Sequence, residues 1–149
     1  MGRGMMLKAP QEILIEICRK YDIALVYLFG SQAAAGKRLL AGSNVTIIDP
    51  LTDLDVGVVT SNPLPEPTKR RKLYAALYND LEEVFRSFKL DLVFLEENHS
   101  VFQLEAIKGL CVYQVSQEKR DDYEMMILRR AADFRPVLQK YLQEVLEDI

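Results

Sequence analysis

Three aspartates stand inside apolar runs of this 149-residue chain, an expensive place to put a charge. Asp53 and Asp55 open the run Leu54-Asp55-Val56-Gly57-Val58-Val59, and Asp91 sits in Leu90-Asp91-Leu92-Val93-Phe94-Leu95. Residues two apart on a strand share a face, so Asp53 and Asp55 can present carboxylates side by side, about 6–7 Å apart. Asp91, on another strand, can face the same place. At that separation two like charges repel by about 2–3 kcal/mol at an effective dielectric near 20. Desolvation adds to the cost. A bound Mg²⁺ removes the repulsion, because this hard cation takes oxygen ligands and is held by one or two carboxylates together with substrate phosphates. Two such ions can steady both the attacking and the leaving oxygen in phosphoryl or nucleotidyl transfer. A lone Asp-x-Asp is most simply a strand entrance with a solvent-facing acid. The third strand acid and a glycine-serine pair upstream shift the balance toward chemistry.

That pair, Gly30-Ser31, ends the apolar run Ile23-Ala24-Leu25-Val26-Tyr27-Leu28-Phe29. Glycine permits a turn that residues with a Cβ resist. Serine at a helix start offers a hydroxyl and a free amide to a phosphate, although serine also caps helices with no ligand at all.

The elements that must hold these residues can be read from periodicity. Pro10 to Tyr21 reads as a helix, with Ile13, Leu14, Ile17 and Cys18 on one face and proline in the first turn. Ile23 to Phe29 reads as a buried strand, and Ser31 to Gly36 as a helical turn. Lys37 to Ile48 reads as two short strands around Ala41-Gly42-Ser43-Asn44, an extra hairpin at 37–48. Leu54 to Thr60 is the next core strand, and Ser61 to Pro67, with three prolines, is irregular. Helices follow at Thr68 to Phe88, His99 to Lys108 (stopped by Gly109) and Gln117 to Asp148, the last broken or kinked by Pro136. Strands fall at Lys89 to Leu95 and Leu110 to Val115. The alternation predicts an α/β (α+β) fold, a mixed sheet flanked by helices, in one domain over 1–149.

Composition sets limits. Hydrophobic content of 49% and charged content of 28% are those of a globular protein. A net charge of −3 argues against a large nucleic-acid footprint. Cys18 and Cys111 lie in apolar contexts without partner spacing and read as reduced core residues. No run approaches the ~20 apolar residues of a spanning helix, and Met1 to Ala9 lacks a secretory apolar core. The expectation is a cytoplasmic protein without a membrane role.

Taken together, these residues resemble the minimal nucleotidyltransferase (MNT) family, relatives of the DNA polymerase β catalytic core. The matching segments are Leu28-Phe29-Gly30-Ser31, Thr52-Asp53-Leu54-Asp55-Val56 and Leu90-Asp91-Leu92-Val93. Tyr123 and Glu124 resemble a Phe/Tyr-Glu pair at the start of the family's final helix. The resemblance implies the nucleotidyltransferase fold, with Gly30 and Ser31 on the nucleotide's phosphates. It implies Asp53 and Asp55 on the metals, with Asp91 completing the metal site or activating the acceptor hydroxyl. The implied reaction moves a nucleoside monophosphate from an NTP, ATP by expectation, to an acceptor, releasing pyrophosphate, with Mg²⁺ in a two-metal site. Small members are often antitoxins paired with a HEPN-domain toxin, some adenylylating a tyrosine of that toxin. A HEPN partner is therefore expected, with a homodimer left open.

Two departures stand out. The 22 residues from Ser31 to Asp53 exceed the family's usual spacing, and Gln32-Ala33-Ala34-Ala35-Gly36 lacks the arginine usual in this turn. Lys37 or Arg38 is a candidate to supply that charge to the triphosphate; as a plain reading the pair is a solvated loop. The departures keep a second hypothesis open, a nucleotidyltransferase-fold module that masks a protein partner with its chemistry lost. A third is a small-molecule nucleotidyltransferase acting on an antibiotic, for which 149 residues leave little room.

The remaining candidates read as structure. His99, the only histidine, caps a helix or faces solvent. Lys69-Arg70-Arg71-Lys72 wraps a helix start. Tyr74 and Tyr78 share a helix face and suit packing, Tyr27 and Tyr113 belong to strands, and Met125, Leu128, Ala132 and Leu138 form core or a partner seam.

Overall fold

The computed structural model of the chain describes residues 8–43 and 52–147. Its elements are α1 (Pro10–Lys20), β1 (Ile23–Phe29), α2 (Ala33–Leu40), β2 (Leu54–Thr60), α3 (Pro67–Val84), β3 (Leu90–Phe94), α4 (Ser100–Ile107), β4 (Leu110–Gln114) and α5 (Gln117–Glu147). A short 3₁₀ turn over Leu95–Glu97 follows β3.

The four strands form one sheet in the order β3-β2-β1-β4. β1 pairs antiparallel with β2 and with β4, while β2 and β3 run parallel. A parallel pair needs a long crossover connection, and the 18 residues of α3 supply it. Glu66 caps α3, its carboxylate accepting from the amides of Thr68 (3.0 Å) and Lys69 (2.8 Å).

Both faces of the sheet are covered, which explains why β1 is a continuous apolar run rather than an alternating one. Val26, Leu28, Leu54, Val56, Val58, Leu90, Leu92 and Phe94 face Leu14, Ile17, Cys18, Leu77, Leu81 and Val84 of α1 and α3. Leu25, Tyr27 and Val59 turn the other way, against Leu95, Ala106, Tyr123 and Ile127. Burying each large side chain is worth about 1.5–3 kcal/mol. The apolar face expected of α1 is the one observed.

Tyr27 is wholly buried, and its hydroxyl donates to Glu124 Oε2 at 2.6 Å. Arg120 Nε donates to the same oxygen at 2.8 Å. This network ties the centre of the sheet to α5. Tyr123 next door is also buried and donates to Gln103 Oε1 at 2.6 Å. Burial, then the bond to Glu124, pushes the Tyr27 phenol far above its ordinary range.

The predicted hairpin at 37–48 is corrected in its first half. Lys37, Arg38, Leu39 and Leu40 are helical and complete α2. Three alanines in a row favour helix, and Ala33, Gly36 and Leu40 then fall on one buried face, Gly36 packing directly on Leu28 and Leu54. The second half, Val45 to Ile48, lies outside the described residues. Of the two outcomes expected at Pro136, a break is not seen: α5 runs through it to Glu147 as one helix. Cys18 is buried, its thiol pushed up to about 12 by that burial, but Cys111 is only half-buried. His99 caps α4, its Nδ1 accepting from the Val101 amide at 3.1 Å. No helix among the described residues is long and apolar enough to cross a membrane.

Candidate active site

The acids are brought together by strand register. The Leu54 amide donates to the Lys89 carbonyl at 2.8 Å, which starts the parallel ladder. From there Leu54 stands opposite Leu90, and Asp55 opposite Asp91. Side chains alternate across a strand. The leucines therefore take the α1/α3 face, and both aspartates project from the other. Asp53 precedes β2 by one residue and is half-buried, as is Asp55; Asp91 is exposed.

The electrostatics record the crowding. Burial pushes the Asp55 carboxyl up to about 6, helped by the charge of Asp91, a hydrogen bond with it, and the charge of Asp53. Neighbouring carboxylates each disfavour ionisation of the next.

Gly30 closes the site on the β1 side. Phe29 pairs with Asp55 across the β1/β2 ladder. Gly30, with φ of +75°, then turns the chain away so closely that a Cβ there would land on Asp55 Oδ2. Only glycine satisfies both the left-handed backbone and the contact. Ser31 is exposed and follows in the turn. Helix α2 begins two residues later than Ser31, with Gln32 at its N-cap and no side-chain cap, so the serine is not the helix cap its position suggested. Lys37 and Arg38 lie in the last turn of α2, exposed, at the end of the helix away from Gly30-Ser31.

β3 is the outer strand of the sheet, and two tyrosines of α3 cover its edge. The Tyr74 hydroxyl donates to the Leu92 carbonyl at 2.8 Å, and the Tyr78 hydroxyl to the Leu90 carbonyl at 3.4 Å. These carbonyls flank Asp91 on either side. Sequence reasoning assigned the two tyrosines to packing and missed their reach to the acid-bearing strand. Their spacing of four residues on α3 was the one available signal.

The donor set fits a hard divalent cation. It is all oxygen, and a dication would relieve the repulsion from Asp91 and Asp53 that adds to burial in raising Asp55. Among the described residues, no three acidic, histidine or cysteine side chains close into a ready-made metal cage. A site of this kind leaves ligand positions for phosphate oxygens. A cleft of about 320 Å³ does exist, lined by Thr60, Glu96, Lys119 and Arg130 among others. It lies at the opposite end of β2, five residues or about 17 Å from Asp55. Among the described residues this cleft and the three acids are separate features.

A strand-glycine-serine corner, two carboxylates at the mouth of the next strand and a third on its parallel neighbour define a nucleotidyltransferase. The chain belongs to the polymerase beta nucleotidyltransferase family, whose pattern matches residues 12–118. That family generally uses divalent metal. No curated protein matches the chain in sequence. Three solved structures of similar fold come from toxin–antitoxin complexes. A mutant of the MntA–HpeT toxin–antitoxin matches with a TM-score of 0.66 at 16% identity, over 91% of this chain and 98% of that one. The antitoxin complex holding AMP-PNP matches at 0.63 and 16%, over 91% and 98%. The complex of a tri-AMPylated Shewanella oneidensis HEPN toxin with its MNT antitoxin matches at 0.61 and 16%, over 92% and 96%.

Proposed function

We propose that this chain transfers a nucleoside monophosphate, AMP from ATP, to a hydroxyl of a HEPN-type protein partner, and so acts as an antitoxin. The observation that carries the reading is the Asp55–Asp91 pairing beneath Gly30. Gly30 and Ser31 would receive the phosphates. Asp53 and Asp55 would hold Mg²⁺, with Asp91 either sharing it or taking the acceptor's proton. The bond formed joins the acceptor oxygen to the α-phosphorus, and the bond broken releases pyrophosphate. When bound, the metal supplies positive charge to the oxygens exchanged at that phosphorus. The tyrosine acceptor rests on the family resemblance. The partner class rests also on the fold shared with MNT antitoxins solved beside HEPN toxins.

The experiment is a thermal shift with ATP and Mg²⁺, followed by label transfer from ATP. A ligand at about 100 times its dissociation constant stabilises by about 2.7 kcal/mol. The wild type is expected to shift only with both present, and Asp53→Asn/Asp55→Asn to stay folded without shift or transfer. Transfer retained by that double variant rejects the reading.

A second reading, a module that binds and masks a partner without chemistry, is favoured by α5. Met125 and Leu128 are both 48% exposed there, and Leu142 and Leu146 more so. Protection from the partner toxin by the double variant would support it.

A further inference from the structure

A pair of rings borders the acids on the β1 side. Phe29 stands opposite Asp55 in the antiparallel ladder, and Asp91 stands opposite Asp55 in the parallel one. The three side chains therefore form one row on one face of the sheet, with strands about 4.8 Å apart setting its spacing. Phe29 packs against the cluster of Tyr27, Leu95 and Ile127, on the face away from Leu28 and Leu54.

Helix α4 brings a second ring to this row. Gly109, just past the helix, lies so close to β1 that a Cβ there would strike the Leu28 carbonyl and Phe29. Phe102, in the first turn of α4, meets Phe29 edge-on (5.8 Å between centroids, 88° between planes). An edge-on contact covers at most one face of a ring, so Phe102 keeps at least one face clear of Phe29. The side chain is 38% exposed. Among the described residues the other exposed aromatic is Tyr74, which packs on Phe94 of the opposite face. Phe102 is thus the accessible ring on the face that carries Asp55 and Asp91.

In the proposed reaction the phosphates lie at Gly30-Ser31, directly after Phe29 in the chain, and the α-phosphorus lies at the acids. The nucleoside on that phosphorus needs an apolar plane beside the row. Phe102 offers one on the β1 side, away from β3. An aromatic face suits any base, since each base has a π face of its own.

We infer that Phe102 is the platform on which the base of the bound nucleotide stacks, with Phe29 buttressing it. This rests on the nucleotidyltransferase reading and assigns a binding residue for the nucleoside half of the substrate, with no part in the transfer step.

The test compares ATP with inorganic tripolyphosphate, each with Mg²⁺, on the full chain. Tripolyphosphate offers the phosphates without the nucleoside. Affinities are read from thermal-shift titrations. Phe102→Leu is expected to weaken ATP about 5- to 30-fold and to leave tripolyphosphate within about 2-fold of wild type. The chain has no tryptophan, so Phe102→Trp places a single indole at the platform. That variant keeps an aromatic plane and should hold ATP close to wild type. ATP should quench its emission and tripolyphosphate should not. The tryptophan measurement decides the matter on its own if the leucine variant fails to fold. Unchanged ATP affinity in Phe102→Leu overturns the inference. So does tripolyphosphate weakened as much as ATP, or indole emission that answers both ligands alike. A wild type that binds both ligands equally well, and only with Asp53 and Asp55 intact, rejects the base platform and leaves the nucleotidyltransferase reading standing. A wild type stabilised by neither ligand rejects both.

Discussion

Asp55 and Asp91 stand directly opposite one another in the parallel register of β2 and β3, on the face away from Leu54 and Leu90. Burial, and then the charge of Asp91, raise the Asp55 carboxyl to about 6. Its pKa in the folded chain exceeds that in the unfolded chain. Its contribution to stability is therefore full below about pH 4 and lost as pH rises through about 6. Without metal, Asp55→Asn is expected to melt higher than wild type at pH 7.5 and level with it near pH 4. Melting curves at the two pH values check this, and a wild type more stable than the variant at pH 7.5 refutes it.

The same proton competes with metal. Mg²⁺ affinity, read from the thermal shift at fixed nucleotide, should weaken as pH falls below about 6, because Asp55 must lose its proton to bind. An affinity flat from pH 5 to 8 would mean that Asp55 is not a ligand.

Gly30→Ala imposes a Cβ on a left-handed backbone and on Asp55 Oδ2 at once. The strain should cost about 1–3 kcal/mol and displace the carboxylate. Nucleotide and metal stabilisation should therefore fall further than stability itself. Gly42→Ala is the control, also at positive φ but with open space around its Cβ.

Tyr27→Phe removes a buried hydroxyl that donates to Glu124, while Arg120 still satisfies that carboxylate. The expected cost is about 1 kcal/mol, or a fall of about 3 °C in a domain of this size. Transfer activity should be unchanged, because the network lies between β1 and α5 rather than at the acids. Loss of activity without loss of stability would contradict that placement.

Leu128→Glu should leave the isolated chain within about 0.5 kcal/mol of wild type, because the side chain is already half exposed. If α5 carries the partner surface, the same change weakens capture of a HEPN partner in pull-down. A strongly destabilised Leu128→Glu would show that the residue belongs to the core.

Much of this molecule was legible before its structure. β1 and β2 carry the bounds expected from sequence, because their apolar runs are covered on both faces and are flanked by chemically marked residues, Gly30 after β1 and Asp53 before β2. The meeting of Asp55 with Asp91 was foreseen only as a shared place. The register that makes them direct neighbours is set by the Leu54–Lys89 bond, between residues 35 apart in sequence, which no local pattern records. Lys37 to Leu40 was misread because Leu39-Leu40 resembles a strand start, whereas Ala33, Gly36 and Leu40 at helical spacing were the stronger signal. Met125 and Leu128 could be core or seam from spacing alone. The stripe that packs is Tyr123, Ile127 and Ala131 instead. Tyr74 and Tyr78 read only as packing because their hydrogen-bond partners are main-chain carbonyls, which have no sequence signature.

Those carbonyls bear on solubility as well as chemistry. An outer strand with free carbonyls is a template on which a strand of another molecule can pair. On β3 the phenols of Tyr74 and Tyr78 occupy the acceptors at Leu92 and Leu90, so an incoming strand would have to evict both before it could nucleate an aggregate. A protein that must keep its acid-bearing strand at the rim of the sheet, open to a second molecule, thereby keeps that rim closed to further copies of itself.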